Sequence, residues 1–261
     1  MHKAVVVLAS FAVASFGVTV AFGGLGAQAA SGDVTCTGPA PAYVAHDLIV
    51  PPGECDAQQS TIGHDAIVEN GGYLVLFGSH VTHDVVVQQG GELFTGAYDG
   101  LSSVGGDITA SQPKGIDITD ITVDDSINVA GVTGDGPSLT YLDGKRSNNA
   151  VCGAQVGHSV SIVNSASTAA EWMVGSNNES ESQCSHSDSV QRDLDLLNNH
   201  NVAIDVGNDE IGDDLNILNN APASTDVFHN TVGHKANCRG NGASDGSTGG
   251  NTVSRSNNGC G

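Results

Sequence analysis

The stretch Ile62-Gly63-His64-Asp65-Ala66-Ile67-Val68 decides the fold, because its seven-position pattern returns eight more times along the 261-residue chain. Position one is Ile or Val in all nine copies, and position five is apolar in every copy except the last, where it is Asn257. The copies begin at Ile62, Val81, Val104, Val123, Val156, Val190, Ile211, Val232 and Val253. Their starts lie 19 to 34 residues apart, and internal repeats with a period of about 20 residues are typical of solenoid proteins.

Each copy predicts a polar turn followed by a short strand. Positions five and seven are two residues apart, the period of a strand, and a turn such as Gly63-His64-Asp65 separates them from position one. Most copies are followed by a glycine turn and a second apolar run, such as Tyr73 to Phe77. A coil of about 20 residues cannot bury these side chains alone, so it must stack on its neighbours at a spacing of ~4.8 Å. We therefore predict an all-β, single-domain, right-handed parallel β-helix of about nine to ten coils.

The first thirty residues predict a secretory signal peptide. Lys3 supplies a positive start, Ala4 to Phe22 is apolar or small throughout, and Ala27-Gln28-Ala29 offers a cleavage site before Ala30. An uncleaved membrane anchor is the alternative, because nineteen such residues almost suffice to span a bilayer. No second apolar stretch of this kind follows. We therefore predict a secreted, extracellular protein that has no membrane contact after cleavage.

The rest of the chain is predicted to form one domain. Its parts are an N-terminal cap at 31–60 and a β-helix at 61–261, with inserted loops at 130–155 and 164–189 and a C-terminal cap at 239–261. The loops come from the two longest repeats, and we expect them to project from the same side. They carry Asp143, Lys145, Arg146, Cys152, Trp172, Asn177, Asn178, Glu179, Glu181, Cys184 and His186. A localised binding site would be expected there; the alternative is two solvated loops held by a disulfide.

All six cysteines lie beyond the signal segment, which suits an oxidising compartment. The pairs that span about one coil each are Cys36 with Cys55, Cys152 with Cys184, and Cys238 with Cys260. Equivalent positions on successive coils lie at the Cα spacing that a disulfide bridges, so the bridges would clamp the first coil, the two longest coils and the last. Metal binding by the cysteines is disfavoured, because no two of them are two to four residues apart.

The net charge of the chain limits the classes of partner that can be expected. Asp and Glu number 29 against 8 Lys and Arg, which gives a formal net charge of -21. We therefore do not expect nucleic acid or anionic membrane surfaces to be partners. Cell-wall or extracellular polysaccharide and extracellular protein remain as partner classes. We interpret the excess of acidic residues as a means of keeping a long rod soluble. Specific cation binding is the alternative interpretation.

Positions three and four of the repeat supply candidate metal ligands. Position three is His in four copies, namely His64, His83, His158 and His234. His64 and His83 lie on successive coils with His80 nearby, so a zinc or copper site competes with an exposed turn position that tolerates polar residues. Position four is Asp in five copies, namely Asp65, Asp84, Asp107, Asp193 and Asp214. Stacked carboxylates must either cap turn N–H groups or share a cation, so calcium at Asp65, Asp84 and Asp107 is a further candidate cofactor.

One cluster resembles the acid ladder of polygalacturonase-type glycoside hydrolases, which are right-handed β-helices. Gly212-Asp213-Asp214 is followed one coil later by Gly233-His234 and one coil further by Arg255. The resemblance implies that Asp213 and Asp214 supply acid and base for an inverting hydrolysis, that His234 assists, and that Arg255 binds a sugar carboxylate. The chain departs from the family pattern, because Gln191-Arg192-Asp193 replaces its Asn-Thr-Asp motif and Arg255-Ser256-Asn257 replaces its Arg-x-Lys motif.

The coils also resemble uncharacterised secreted actinobacterial proteins with a repeated Thr-Val-Gly-Gly-Asn-Val coil. The matching stretches are Thr61-Ile62-Gly63-His64-Asp65-Ala66, Gln155-Val156-Gly157-His158-Ser159-Val160 and Thr231-Val232-Gly233-His234-Lys235-Ala236. This resemblance covers residues 34–261 and implies a β-helix without implying catalytic residues. We therefore predict a secreted structural or surface-interaction protein, with a carbohydrate-active enzyme and a calcium-dependent binding rod as the alternatives.

Overall fold

The computed structural model describes residues 32–97, 100–137, 149–166, 171–176, 186–200, 203–221, 224–242 and 249–261. Within these residues every regular element is a β-strand and none is a helix. The 30 strands, numbered along the chain, form three sheets in which every pairing between neighbouring coils is parallel. The predicted parallel β-helix is confirmed.

Each complete coil contributes one strand to each sheet, in the order A, B, C. Sheet A contains β3 (Tyr43–Val44), β6 (Thr61–Ile62), β9 (His80–Val81), β12 (Ser102–Val104), β15 (Ile121–Val123), β18 (Gln155–Val156), β21 (Ser189–Val190), β24 (Glu210–Ile211), β27 (Thr231–Val232) and β29 (Thr252–Val253). Sheet B contains β1 (Val34–Thr35), β4 (Leu48–Val50), β7 (Ala66–Val68), β10 (Val85–Val87), β13 (Ile108–Ser111), β16 (Ile127–Ala130), β19 (Val160–Val163), β22 (Leu194–Leu197), β25 (Leu215–Leu218), β28 (Lys235–Arg239) and β30 (Ser256–Asn258). Sheet C contains β2 (Gly38–Pro39), β5 (Gly53–Gln58), β8 (Gly72–Phe77), β11 (Glu92–Gly96), β14 (Gly115–Thr119), β17 (Asn149–Cys152), β20 (Glu171–Gly175), β23 (Ala203–Gly207) and β26 (Ser224–Phe228).

The pairing register is the one that the repeat predicts. Ile62 pairs with Val81, and position one of each later copy pairs with position one of the next as far as Val253. Position five forms a second ladder that begins with Ala66 opposite Val85 and ends with Asn257. Since a one-residue slip would turn every inward side chain outward, the alternation of apolar and polar residues fixes this register.

The interior is one continuous core of aliphatic ladders. Position one is buried in the first eight copies, and position five is buried in the same eight. Sheet C adds Leu74, Leu93 and Ile116, which lie above one another and are fully buried. Like side chains therefore stack on like side chains from coil to coil, which is how coils this short bury enough apolar area.

The repeat begins one coil before Ile62. Residues 31–60, predicted as an N-terminal cap, contain β1 to β5, and these strands belong to all three sheets. Val44 pairs with Ile62 and Leu48 with Ala66. The stretch from Val44 to Val50 is thus a further copy of the seven-position pattern, with Ala45 where the first copy has Gly63. The prolines of this segment lie at or beside its strands and do not interrupt the stack.

The two long repeats each keep their strand on sheet C. Strand β17 lies within the predicted loop 130–155, and β20 lies within the predicted loop 164–189, where Trp172 is fully buried in the core. The extra residues are therefore confined to connections between strands. The connection from β16 to β17 runs from sheet B to sheet C, whereas that from β20 to β21 runs from sheet C to sheet A. Outside the described residues lie Asp143, Lys145, Arg146, Asn177, Asn178, Glu179, Glu181 and Cys184.

Disulfides clamp both ends of the stack, as predicted. Cys36 is bonded to Cys55 with a Cα–Cα distance of 5.5 Å, and Cys238 to Cys260 with a distance of 5.0 Å. Cys152 is also disulfide-bonded, and its predicted partner Cys184 lies outside the described residues. These bonds indicate an oxidising setting.

The predicted signal segment, residues 1–30, also lies outside the described part of the chain. A search of the described residues for a helix of sufficient length and apolar character to cross a membrane found none.

Candidate functional site

The turn that joins sheet A to sheet B, here the A–B corner, stacks directly from coil to coil. The backbone N–H of each position three donates to the carbonyl of position three in the preceding coil, as His234 does to Asp213 and Arg255 to His234, both at 2.9 Å. The backbones approach so closely that a Cβ on Gly233 would lie 1.9 Å from the carbonyl oxygen of Gly212. Side chains at positions three and four are therefore held in two parallel rows along the rod.

The position-four carboxylates cap the N–H groups of the next coil. Asp65 Oδ1 accepts from Asp84 N at 3.1 Å, and Asp84 Oδ1 accepts from Asp107 N at 2.8 Å. The same contact runs from Asp47 to Asp65, from Asp107 to Ser126, from Asp193 to Asp214 and from Asp214 to Lys235. Of the two roles that the sequence leaves open for these residues, the structure shows capping. In this role a backbone N–H donor compensates the capping oxygen of each carboxylate.

The four residues that resemble a glycosidase ladder lie together at this corner. His234 Nδ1 lies 2.7 Å from Asp214 Oδ1, and that same oxygen accepts the Lys235 N–H at 3.1 Å. Asp213 and Arg255 are exposed, and Asp214 is half-buried. The contact between His234 and Asp214 repeats the one between His64 and Asp47 at the other end of the rod. The arrangement at Asp214 is therefore a regular feature of the repeat.

His64 and His83 approach each other on successive coils. Their ring centroids are 4.4 Å apart, with the planes tilted by 38°. Together with Asp65 they offer ligand atoms that all lie within 4.8 Å of one another. His64 Nδ1 also lies 2.6 Å from Asp47 Oδ1. This hydrogen bond, followed by the nearby charges of Asp65, Asp47 and Asp84, raises the pKa of His64 above its ordinary value.

The other predicted histidines lie apart from this pair. His80 is on the outer face of sheet A, where its Nδ1 lies 2.8 Å from Ser103 Oγ. His158 lies at the same turn position several coils away, and its Nδ1 lies 3.4 Å from Asp125 Oδ1. Thus, among the described residues, the structure brings together as potential metal ligands two of the five position-three histidines, a count that includes His46 of the coil at Val44.

A second row of acids, which the sequence analysis missed, lies at the turn from sheet C to sheet A, here the C–A corner. Asp188 Oδ1 accepts from Ala154 N at 2.7 Å, and Asp188 Oδ2 accepts from Gly175 N at 2.9 Å. Asp188 N donates in turn to Asp209 Oδ1 at 3.1 Å, and Asp209 N donates to Asn230 Oδ1 at 2.9 Å. Burial raises the pKa of both aspartates, that of Asp209 to about 8.

The missed row has a sequence signal. It occupies the position two residues before position one of each repeat, and this position is polar in seven of the nine copies: Ser60, Ser79, Ser102, Asp188, Asp209, Asn230 and Asn251. A buried polar position with the period of the coil predicts a side-chain ladder. The position was overlooked because it lies outside the seven-position pattern.

Asp209 lacks a donor for one of its oxygens. Its Oδ2 is buried and has no hydrogen-bond partner among the described residues. One coil later Asn230 uses its Nδ2 to donate to Val206 O at 3.1 Å. A protonated Asp209 carries a donor on this side chain, whereas an ionised one can only accept, which agrees with its raised pKa.

A polar cavity of about 530 Å³ lies beside this row. It is lined by Ser187, Asp188, Ser189, Asn208, Asp209, Glu210, His229 and Thr231. Asp188 and Asp209 belong to this lining although both are almost completely buried. Their hydrogen bonds to the backbone are those of a structural ladder.

The candidate residues therefore fall into three groups, which are the capping carboxylates of the A–B corner, the histidine pair beside them and the buried row of the C–A corner. Comparison of the chain with models of known protein families, with curated proteins and with solved structures found no match.

Proposed function

We propose that this protein is a secreted, non-catalytic rod that binds a neutral extracellular polysaccharide along the outer face of sheet A. The observation that carries the non-catalytic part is the engagement of Asp214 as a turn cap, in the same way as Asp65 and Asp84 in coils without a catalytic resemblance. In Asp214 it is Oδ1 that accepts the Lys235 N–H and contacts His234, so this oxygen is held by the fold. The disulfides at both ends and the predicted signal segment support an extracellular location.

The outer face of sheet A supports polysaccharide binding through its chemistry. Its outward side chains, one per coil, are Tyr43, Thr61, His80, Ser103, Thr122, Gln155, Ser189, Glu210, Thr231 and Thr252. Only Glu210 among them is acidic, although the chain carries a formal charge of -21. Acids lie at the corners and on the strands of sheet C instead, where they are Glu54, Asp56, Glu92, Asp117, Glu171, Asp205 and Asp226. Hydroxyl and amide groups hydrogen-bond to sugar hydroxyls, and their repeat of ~4.8 Å from coil to coil suits a polymer with a regular repeat.

An exposed aromatic ring lies at the N-terminal end of the same row. Tyr43 is 44 % exposed and pairs with Thr61 in sheet A. A solvated tyrosine ring provides an apolar surface for the faces of sugar rings, and its hydroxyl group adds a hydrogen bond. Tyr43 and the other outward side chains of sheet A therefore form one continuous candidate surface.

Binding is tested by co-sedimentation with insoluble polysaccharides. We expect the protein to bind at least one neutral polymer among cellulose, chitin and β-1,3-glucan, and to bind cross-linked pectate weakly, because like charges repel. Exchange of Thr122 and Thr231 for Glu, or of Tyr43 for Ala, should weaken binding at least about fivefold, which corresponds to about 1 kcal/mol. Thr109→Glu is the matched control, since Thr109 is an exposed threonine on the outer face of sheet B. Binding to none of these polymers, or equal loss in the control, would overturn the proposal.

The glycosidase alternative is favoured by one observation, the proximity of His234 and Asp214. It is tested by measuring reducing-sugar release from neutral and acidic polysaccharides. We expect no release by the wild-type protein. Release that disappears in Asp213→Asn and Asp214→Asn, and persists in the matched variant Asp193→Asn, would establish the enzyme instead.

A further inference from the structure

We infer that His64, Asp65 and His83 form a binding site for a first-row divalent transition metal such as Zn²⁺ or Cu²⁺. Their ligand atoms already lie within 4.8 Å of one another. Ligands of a tetrahedral zinc ion lie ~3.4 Å apart, since Zn–N and Zn–O bonds are about 2.0 to 2.2 Å long. Both histidine rings are exposed, so small side-chain rotations close the difference without any movement of the backbone.

The contact with Asp47 prepares His64 for this role. The Asp47 carboxylate lies 2.6 Å from His64 Nδ1. A proton on Nδ1 that is donated to this carboxylate leaves the lone pair on Nε2. Metal-binding histidines are commonly oriented by a carboxylate in this manner, which fixes the tautomer and increases the basicity of the ring. Asp47 thus acts as a positioning residue.

Asp65 keeps one oxygen available. Its Oδ1 accepts the N–H of Asp84, and its Oδ2 lies 3.5 Å from His64 Nδ1. A metal that binds Oδ2 therefore leaves the cap on the turn in place. The stacking of the A–B corner holds all three residues on two successive coils.

The donor set selects the class of metal. Two imidazoles and one carboxylate suit Zn²⁺, Cu²⁺ or Ni²⁺, whereas Ca²⁺ takes oxygen ligands. The carboxylates of Asp47, Asp65 and Asp84 lie close enough to act on His64, and they make the local potential favourable to a cation. The site differs from the calcium ladder considered from the sequence, because it requires a pair of histidines on neighbouring coils. Histidines occupy position three on three successive described coils, His46, His64 and His83, and of these His64 and His83 bring their ligand atoms together with Asp65.

The test is a titration of the full chain, without an affinity tag that contains histidine, after treatment with a chelator. Isothermal calorimetry with Zn²⁺ should show one site per chain, Cu²⁺ should bind more tightly as the Irving–Williams order requires, and Ca²⁺ should not compete. His64→Asn and His83→Asn should each abolish the site. Asp47→Asn should weaken Zn²⁺ binding by 10- to 100-fold, which is the range for a lost orienting carboxylate.

His158→Asn provides the matched control. It removes an exposed histidine from the same turn position on a coil whose neighbours carry Asp125 and Arg192 at that position. Zn²⁺ binding that persists in this variant and is lost in His83→Asn supports the site. No binding by the wild-type protein, or binding that survives His83→Asn in a protein with an unchanged thermal melt, would overturn it. The result is independent of polysaccharide binding, because the site lies at the A–B corner.

Discussion

The two acidic corners of the coil use the same residue in opposite environments. At the A–B corner, Asp65 and Asp84 cap backbone N–H groups while they stay in contact with solvent. At the C–A corner, Asp188 and Asp209 accept hydrogen bonds from N–H groups of the preceding coil but are almost completely buried. Water stabilises an ionised carboxylate, and a buried one becomes protonated or is replaced by an amide. The C–A row shows both solutions, since the aspartates are followed by Asn230 and Asn251. Burial, and not the residue type, therefore determines whether the carboxyl groups of such a row are ionised.

The largest predicted effect is a difference between the two corners in the free energy of unfolding that is lost when a capping aspartate is removed. Asp188→Ala leaves the N–H groups of Ala154 and Gly175 without their acceptor, and we expect it to reduce the free energy of unfolding by about 2 to 5 kcal/mol. Asp84→Ala also removes a cap, that of Asp107, but water can replace the carboxylate, so we expect a loss of about 1 kcal/mol. Urea denaturation followed by circular dichroism measures both. Equal losses would contradict the contrast between the corners.

The next effect concerns pH. The pKa of Asp209 is raised to about 8 in the folded state, against 3.8 for an unperturbed aspartate. Between these values the folded state binds a proton that the unfolded state has released, so stability falls as pH rises from about 4 to about 8. Asp209→Asn removes this dependence and can donate to a backbone carbonyl as Asn230 does. We expect the variant to be more stable than the wild type by at least about 1 kcal/mol at pH 8, with the difference shrinking towards pH 4.

The matched variant for this comparison is Asp107→Asn. Its side chain caps Ser126 N at the A–B corner and stays in contact with solvent, so its effect on the thermal melt should be the same at pH 5 and pH 8. A pH-dependent gain in Asp107→Asn, or none in Asp209→Asn, would show that burial does not distinguish the two rows.

The smallest effect is expected on the outer face of sheet B, where burial is intermediate. Asn216, Asn237 and Asn258 donate side-chain hydrogen bonds along a row that begins at the half-buried Asp195. Partial burial raises the pKa of Asp195, and the hydrogen bond from Asn216 opposes that shift. Asp195→Asn should therefore stabilise the protein by no more than about 0.5 kcal/mol near neutral pH, less than Asp209→Asn. Thermal melts at pH 5 and pH 7 measure the gain in stability of Asp195→Asn. A gain larger than that of Asp209→Asn would reverse the predicted order.

Most of the fold could be predicted from the sequence because apolar residues recur once per coil at positions one and five. This periodicity fixed the strands, the register and the two terminal disulfides. The coil at Val44 was missed because the prolines around it indicate a cap, although they tolerate strand ends and edges. Trp172 was assigned to a loop because repeat length alone cannot show where in a long coil the extra residues lie.

Less of the site could be predicted, because a periodic sequence shows which residues share a row but not which rows are buried. The spacing of His64 and His83 was sufficient to expect their proximity, whereas the contact of Asp47 with His64 depends on the coil that was missed. The protonation of Asp209 depends on burial at a corner, and no local pattern in the sequence distinguishes it from Asp214.

The most direct test of the contrast between the corners is the ¹³C NMR titration of the Asp209 side-chain carboxyl in the folded protein. We expect the chemical shift of a protonated carboxyl at pH 6 and a transition near pH 8. A carboxylate shift at pH 6 would contradict it.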